Sequence, residues 1–242
     1  MKIALISDIH SNCLALKAVL ADIKKQGIKE ISCLGDLIGY APFPDKVFPI
    51  IKNPENNIKT VMGNYDEAVA FEKKDCGCGY KDENSVRMGD ISYDWTLKHT
   101  SEENKEWIKK LPKELRLRVG DKRILMVHGS PEEISGRVDI MKDKQITSMM
   151  EEANADILFC AHTHIPYHKI IGDKHVVNAG SVGRPRNKNQ QASYVIVDLN
   201  GGFKVKPRFV GYDFESFAKE IENSKMPKNN FAEVIRTGYW TF

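Results

Sequence analysis

The chain has 242 residues, with 36 Lys or Arg against 33 Asp or Glu, a net charge of +3, 41% hydrophobic and 29% charged residues. That balance describes a globular protein long enough for one large core, and it is too weakly basic to argue for a nucleic-acid partner. No apolar run reaches the roughly 18–20 residues of a membrane span, the first apolar run (residues 3–6) is too short for a signal peptide, and five cysteines, an odd number, do not suggest a disulfide framework. A reducing cytoplasm is the expected location.

Residues 2–7 form an apolar run of strand length, followed by Leu16, Val19, Leu20 and Ile23 at helical spacing. Gly27 ends that helix, residues 29–34 read as a second strand, 44–52 as a short helix and 57–62 as a third strand. Strands alternating with helices imply a parallel sheet with covered faces. Residues 83–111 read as wholly helical, with Thr100 and Glu103 spaced as a capping box for the helix that carries Trp107. Leu115, Leu117 and Val119 then alternate with charged residues, and Gly120-Asp121 turns the chain into residues 124–127. A helix over 139–153 and a buried strand over 156–161 follow. The last third is antiparallel in character, with hairpin turns at Gly172-Asp173 and Asn200-Gly201, and helices over 214–222 and 230–238 close the chain. The pattern predicts an α/β sandwich of two sheets with helices outside, as one domain over 1–242 with residues 212–242 a helical extension.

Polar residues of metal-ligating type fall at particular places in this pattern. Asp8 and His10 follow the first strand, Asp36 the second, Asn64 the third, His128 the strand at 124–127, and His162 with His164 the strand at 156–161. The carboxyl ends of strands in an open α/β sheet line one edge, where ligands bind. Taken singly, each residue is explained as a turn former, a cap or a hydrogen-bonded histidine. Together they are not: four of the seven histidines occupy such positions. Mixed oxygen and nitrogen donors without thiolate suit Mn, Fe, Ni or Zn ions, and seven ligands exceed one tetrahedral zinc. Two ions sharing a carboxylate is the arrangement used for in-line displacement at phosphorus.

The order Asp8-x-His10, Gly35-Asp36, Gly63-Asn64-x-Asp66, His128, Ala161-His162-x-His164 resembles the calcineurin-like metallophosphoesterase superfamily. Gly39-Tyr40-Ala41-Pro42, Asp94-Trp95-Thr96 and the run from Asn178 to Gly183 are similar to its small bacterial and archaeal branch. The resemblance implies a four-layer α/β/β/α sandwich of two mixed sheets with flanking helices. It implies that Asp8, His10 and His164 hold one metal, that Asn64, His128 and His162 hold a second, and that Asp36 bridges them. A metal-bridging hydroxide would be the nucleophile. Two departures stand out: Ala161 replaces a glycine, and Tyr65 stands where the family usually has a histidine taken as the acid for the leaving group.

The expected catalytic residues are therefore Asp36, Asn64, Tyr65 and Asp66, with Tyr65 a candidate proton donor or a packing residue. Loss of the histidine tilts the reading toward a phosphodiesterase, with a phosphatase or dinucleoside-polyphosphate hydrolase, or a non-catalytic binding scaffold on the same fold, as alternatives. The expected substrate is a small phosphoester or nucleotide. Arg184 and Arg186 are candidates to clamp a phosphate. Asn12 is a candidate phosphoryl contact or the cap of the first helix. Cys76-Gly77-Cys78-Gly79 reads as a flexible loop near the mouth of the site, since two thiolates are half a structural zinc site. The aromatic end, Tyr239-Trp240-Thr241-Phe242, could dock on the domain or on a second subunit of a homo-oligomer.

Overall fold

In the computed structural model, which describes residues 1–80, 82–186, 188 and 190–239, the strands form two five-stranded sheets. The strands are β1 (Lys2–Ile6), β2 (Glu30–Cys33), β3 (Ile58–Thr60), β4 (Glu114–Val119), β5 (Lys122–Val127), β6 (Ile157–Cys160), β7 (Tyr167–Ile171), β8 (Lys174–Asn178), β9 (Ala192–Asp198) and β10 (Lys204–Val210). The helices are α1 (Cys13–Lys25), α2 (Phe48–Ile51), α3 (Asn64–Ala70), α4 (Glu83–His99), α5 (Glu102–Ile108), α6 (Asp143–Glu152), α7 (Phe214–Glu222) and α8 (Phe231–Thr237).

Both sheets are mixed. The first runs β10-β9-β1-β2-β3, with β1, β2 and β3 parallel and β9 and β10 antiparallel additions. The second runs β4-β5-β6-β8-β7, with β5, β6 and β8 parallel and an antiparallel strand at each edge.

Side-chain alternation along the strands builds the layers. Ile3, Leu5, Ile124, Met126, Ile157, Phe159, Val177, Val195 and Val197 meet in an apolar cluster between the sheets. The intervening Ala4 and Ile6 pack outward with Leu16 and Val19 of α1. Leu125, Val127, Leu158 and Val176 pack outward with Ile146 and Met150 of α6. Strands buried on both faces read as continuous apolar runs. The result is the expected four-layer sandwich.

Three local expectations change. The helical stretch at 83–111 breaks at Thr100, whose side chain returns to the Thr96 carbonyl at 2.7 Å, so the capping box does not form. Ser101 is the N-cap of α5, and its backbone N–H is taken at 3.2 Å by Asp45, from the distant 3-10 turn at Pro44–Val47. The helix expected from 139 starts at Asp143, after a 3-10 turn at Val138–Ile140. Helix α3, wholly buried, had no apolar periodicity to announce it. At the end of the chain, Arg236 of α8 bonds Glu215 at 2.9 Å and Glu222 at 2.5 Å, fastening it to α7. Of the aromatic end, Trp240, Thr241 and Phe242 lie outside the described residues. Among the described residues no helix is long and apolar enough to cross a membrane.

Candidate metal centre

The carboxyl ends of the parallel strands in the two sheets meet at one rim. Backbone hydrogen bonds close it: Ile9 and His10 N–H both donate to the Asp36 carbonyl, at 2.8 and 3.1 Å, and Ala161 N–H donates to the His128 carbonyl at 2.7 Å. His162 N–H reaches Asp8 Oδ2 at 3.3 Å, which ties the second sheet to the first. Asn178 holds the His162 to His164 loop, donating to the Ala161 carbonyl at 2.8 Å and to Thr163 Oγ1 at 3.2 Å. Five of the candidate ligands, Asp8, His10, Asp36, His162 and His164, have φ between 46° and 68°. Such left-handed non-glycine residues cost of order 1–3 kcal/mol each and persist where the surroundings over-determine them.

The glycines of the motifs permit the loops to touch. A Cβ on Gly63 would lie 2.2 Å from both the nitrogen and Oδ1 of Asp36, and one on Gly35 would lie 2.4 Å from the nitrogen of Gly63. Ala161, in place of the family's glycine, is accommodated in the core between the sheets.

The side chains then converge with their nitrogen and oxygen atoms facing one another. His10 Nδ1 faces the Ile38 carbonyl at 3.1 Å, and His164 Nδ1 faces the Arg184 carbonyl at 2.7 Å. A carbonyl accepts only, so each Nδ1 carries the proton and each Nε2 presents a lone pair. Those two Nε2 atoms lie 3.1 Å apart. His164 Nε2 is also 3.1 Å from Asp8 Oδ1, a buried oxygen that accepts no hydrogen bond. Burial pushes the His164 imidazole down to about 3, which keeps it neutral. His128 repeats the pattern, with Nδ1 on the Leu34 carbonyl at 2.6 Å. Its Nε2 faces Asn64 Oδ1 at 2.9 Å and Asp36 Oδ2 at 3.5 Å. His162 Nδ1 lies 2.9 Å from the same Asn64 oxygen, its imidazole likewise pushed down to about 3 by burial. Buried acceptors facing one another repel unless a cation or proton sits between them. Neutral imidazole, carboxylate and amide oxygen are a donor set that fits a divalent metal. Ligand atoms of Asp8, His10 and His164 lie within 4.8 Å of one another, as do those of Asp8, Asp36 and His128.

Asp36 sits between the two groups. Its Oδ1 takes the Tyr65 N–H at 2.8 Å, leaving Oδ2 at 3.8 Å from His10 and 3.5 Å from His128. Burial pushes its carboxyl well above the usual range, and the nearby Asp8 and Asp66 charges add to the shift. Burial therefore favours the protonated carboxyl in the metal-free protein, and a cation arriving here competes with protons, so metal affinity should rise with pH. We expect the Mn²⁺ dissociation constant to fall by up to about tenfold per pH unit for each proton released. Calorimetric titrations between pH 6 and 8, in buffers of different ionisation enthalpy, count those protons; a pH-independent affinity excludes the displacement.

Other expected site residues stand elsewhere. Tyr65, a candidate proton donor, is fully buried, with its hydroxyl on Ser92 and its ring against Gly39. The phenol faces away from the cleft because α3 begins at Asn64, so successive side chains turn around a helix. Asp66 does not face the cleft either. Its Oδ1 accepts from Leu37 N–H at 2.9 Å and its Oδ2 from Gly63 N–H at 3.1 Å, so it ties the Asp36 loop to the Asn64 loop. Asn12 caps α1 through Ala15 N–H at 3.0 Å. Its amide donates to the Gly183 carbonyl and the Tyr212 hydroxyl, both at 3.1 Å, which commits it to structure rather than to a phosphoryl oxygen.

Arg184 and Arg186 do line the cleft, with Asp36, Asn64, His162 and His164. The Arg184 guanidinium lies over the Tyr40 ring, 3.9 Å from its centroid. Sequence reasoning missed Arg137, Tyr80 and Thr163 on the same walls. Thr163 lies between two marked histidines, and Arg137 comes from the loop after β5, whose end carries His128; position after a marked strand was the available signal. The loop at 76–79 does reach the mouth, where Cys78 lines the cleft. The odd number of cysteines suggests no disulfide framework, yet Cys76 and Cys78 are joined by a disulfide.

The calcineurin-like phosphoesterase superfamily domain model matches residues 1–202. An uncharacterized protein of Methanocaldococcus jannaschii is 32% identical over 241 residues, covering 93% of this chain and 94% of the relative. Among solved structures, a hypothetical protein of Pyrococcus horikoshii is similar at a TM-score of 0.82 and 25% identity, over 98% of each chain. A metallophosphoesterase from Sphaerobacter thermophilus is similar at 0.76 and 25% identity, over 98% of this chain and 100% of its own. The family match runs through every residue of the rim, and the chain belongs to the calcineurin-like phosphoesterase superfamily, as a metal-dependent phosphoester hydrolase.

Proposed function

We propose that the chain is a dinuclear phosphodiesterase acting on a small phosphoester or nucleotide with a leaving group that needs little protonation. The observation that carries the reading is the lining of the cleft. Among the described residues on its walls, every imidazole and carboxylate belongs to the candidate ligand set, and the others include three arginines, two tyrosines and a threonine. Tyr65, in the slot of the family's histidine, is buried beneath the site. A departing alkoxide finds no dedicated acid there, whereas an aryl, nucleoside-phosphate or anhydride leaving group needs none.

Asp8, His10 and His164 would hold one ion and Asn64, His128 and His162 the other, with Asp36 between them. When bound, divalent Mn, Fe, Ni or Zn supplies a water-derived nucleophile at neutral pH and Lewis-acid stabilisation of phosphoryl charge. The backbone carbonyls behind His10, His128 and His164 fix the tautomers that keep those nitrogens available. Arg184 and Arg186 supply donors for non-bridging oxygens and would orient the ester across the rim. The reading treats residues 1–242 as one cytoplasmic domain, in which Phe231 of α8 backs the Tyr40 wall at 5.6 Å between centroids.

The Mn²⁺-loaded protein should cleave a chromogenic aryl phosphodiester with a higher kcat/KM than the matching aryl monoester, and Tyr65→Phe should preserve that ratio. An intact diester beside a hydrolysed monoester overturns the assignment. Three arginines on one cleft also favour a second reading, a hydrolase of phosphoanhydrides such as dinucleoside polyphosphates. A higher kcat/KM on the polyphosphate than on the diester decides for it.

A further inference from the structure

Asn64 can serve a metal only if its amide is turned the right way. Its oxygen must face His128 and His162, as it does at 2.9 Å from each, and its nitrogen must then be held on the other side. That hold is the Cys76 carbonyl, which accepts from Asn64 Nδ2 at 2.6 Å, with Cys78 Sγ 3.8 Å from the same nitrogen. Cys78 lies on the cleft wall, 3.5 Å from the Tyr40 hydroxyl, whereas Cys76 is buried. The Cys-Gly-Cys disulfide closes this turn two residues apart. Gly77 within it and Gly79 just after it adopt φ of +67° and +64° with open space around them, so glycine is needed for backbone conformation rather than room.

We propose that the Cys76-Gly77-Cys78 turn is the positioning element for Asn64, and that reducing its disulfide loosens the metal position Asn64 serves. This rests on the dinuclear reading above. Thiol–disulfide exchange with a dithiol breaks the Cys76–Cys78 bond. Two electrons and two protons pass to the protein, giving two thiols, and the dithiol leaves as its cyclic disulfide. Two sulfurs that are no longer bonded must separate to non-bonded contact. The Cys76 side chain is packed, so the turn opens at Gly77 and Cys78, and the Cys76–Gly77 peptide plane, whose carbonyl orients the Asn64 amide, is free to rotate. Asn64 then loses its outer-shell partner, a loss that typically weakens metal binding by about 10–100-fold. Cytosolic disulfides are usually transient and catalytic or redox-sensing, which gives this pair a use in the compartment proposed for the chain.

The test uses full-length, metal-stripped protein titrated calorimetrically with Mn²⁺. It is compared as oxidised, and after reduction with dithiothreitol and anaerobic desalting. Alkylation and mass spectrometry establish the state: three reactive cysteines before reduction, five after, under denaturing conditions. Reduction should weaken one Mn²⁺ equivalent by about 10–100-fold, leave the other unchanged, and be reversed by re-oxidation. Cys78→Ser should bind like the reduced wild type whatever the treatment. Two equivalents bound with the same affinity in both states overturn the redox inference and leave the dinuclear reading standing. So does failure of an added oxidant to join the pair. Equal loss of both equivalents overturns the positioning role, and no uptake in either state overturns the dinuclear reading with it.

Discussion

Asp36→Asn should strip the protein of metal without unfolding it. The substitution preserves shape, and the amide oxygen can still accept the Tyr65 N–H that Asp36 Oδ1 takes at 2.8 Å. What changes is the other atom. A carboxylate oxygen 3.5 Å from His128 Nε2 and 3.8 Å from His10 Nε2 becomes an NH₂ group that points protons at those lone pairs. A cation there meets a donor instead of a bridging anion. Elemental analysis of protein purified without chelator should show metal falling from about two equivalents toward none. Activity on an aryl diester should fall by at least about 10³-fold, the upper range for loss of one charge-stabilising group and here joined by loss of the nucleophile. The metal-free melting temperature should stay level or rise, since an amide is neutral at every pH whereas burial of the Asp36 carboxyl penalises its charged form. His128→Ala should lose metal as well but also lower stability, because it leaves a cavity and deprives the buried Leu34 carbonyl of its donor. Full metal occupancy in Asp36→Asn would remove Asp36 from the ligand set.

The rim was legible because two simple signals coincide there. Period-two and continuous apolar runs place the strand ends within a residue or two, and a ligand-type side chain directly after such an end has only one edge to point along. Asp8, Asp36, Asn64, His128 and His162 are reached in this way without knowledge of any loop. Strand ends stop being informative one residue later. Tyr65 and Asp66 adjoin Asn64, but α3 begins at Asn64, so their side chains rotate away into the core and onto the Leu37 and Gly63 amides. No hydrophobic period marks a helix buried on every side. Asn12 is a related case, since the same residue type serves for capping and for binding phosphate, and only its partners Ala15, Gly183 and Tyr212 decide. Arg137 and the Cys76–Cys78 pair were invisible for another reason. Both depend on loop conformations set by left-handed glycines or tertiary contacts, which no local pattern encodes.

Gly183→Ala is expected to be a severely damaging single-methyl addition. Its Cβ would lie 1.7 Å from the Ile9 carbonyl oxygen and 2.6 Å from the Ile9 carbonyl carbon, which are backbone atoms with no rotamer to yield. The clash falls on a seam. Gly183 N–H donates to the Asp8 carbonyl at 3.0 Å, its carbonyl accepts from Asn12 at 3.1 Å, and the next residue's carbonyl orients His164 at 2.7 Å. Relief therefore requires the Asp8-x-His10 loop to part from the Arg184 loop, which separates ligands of one metal from each other. Overpacking of this kind costs about 3 kcal/mol, the upper end of the usual range, and so a melting temperature lower by roughly 6–12 °C for a chain of this length. Because the damage is to ligand geometry as well as packing, the gain in melting temperature on adding Mn²⁺ should shrink in the variant; binding to the native state alone is what produces that gain. Gly211→Ala is the control, since nothing lies within 4 Å of its added methyl, and it should change stability by less than about 0.5 kcal/mol. Thermal melts of wild type and both variants, with and without Mn²⁺, separate the two effects. A Gly183→Ala protein with a lowered melting temperature but an undiminished Mn²⁺ gain would mean that the seam carries stability alone, and that the His164 arm of the centre is set by Asn178 and its loop.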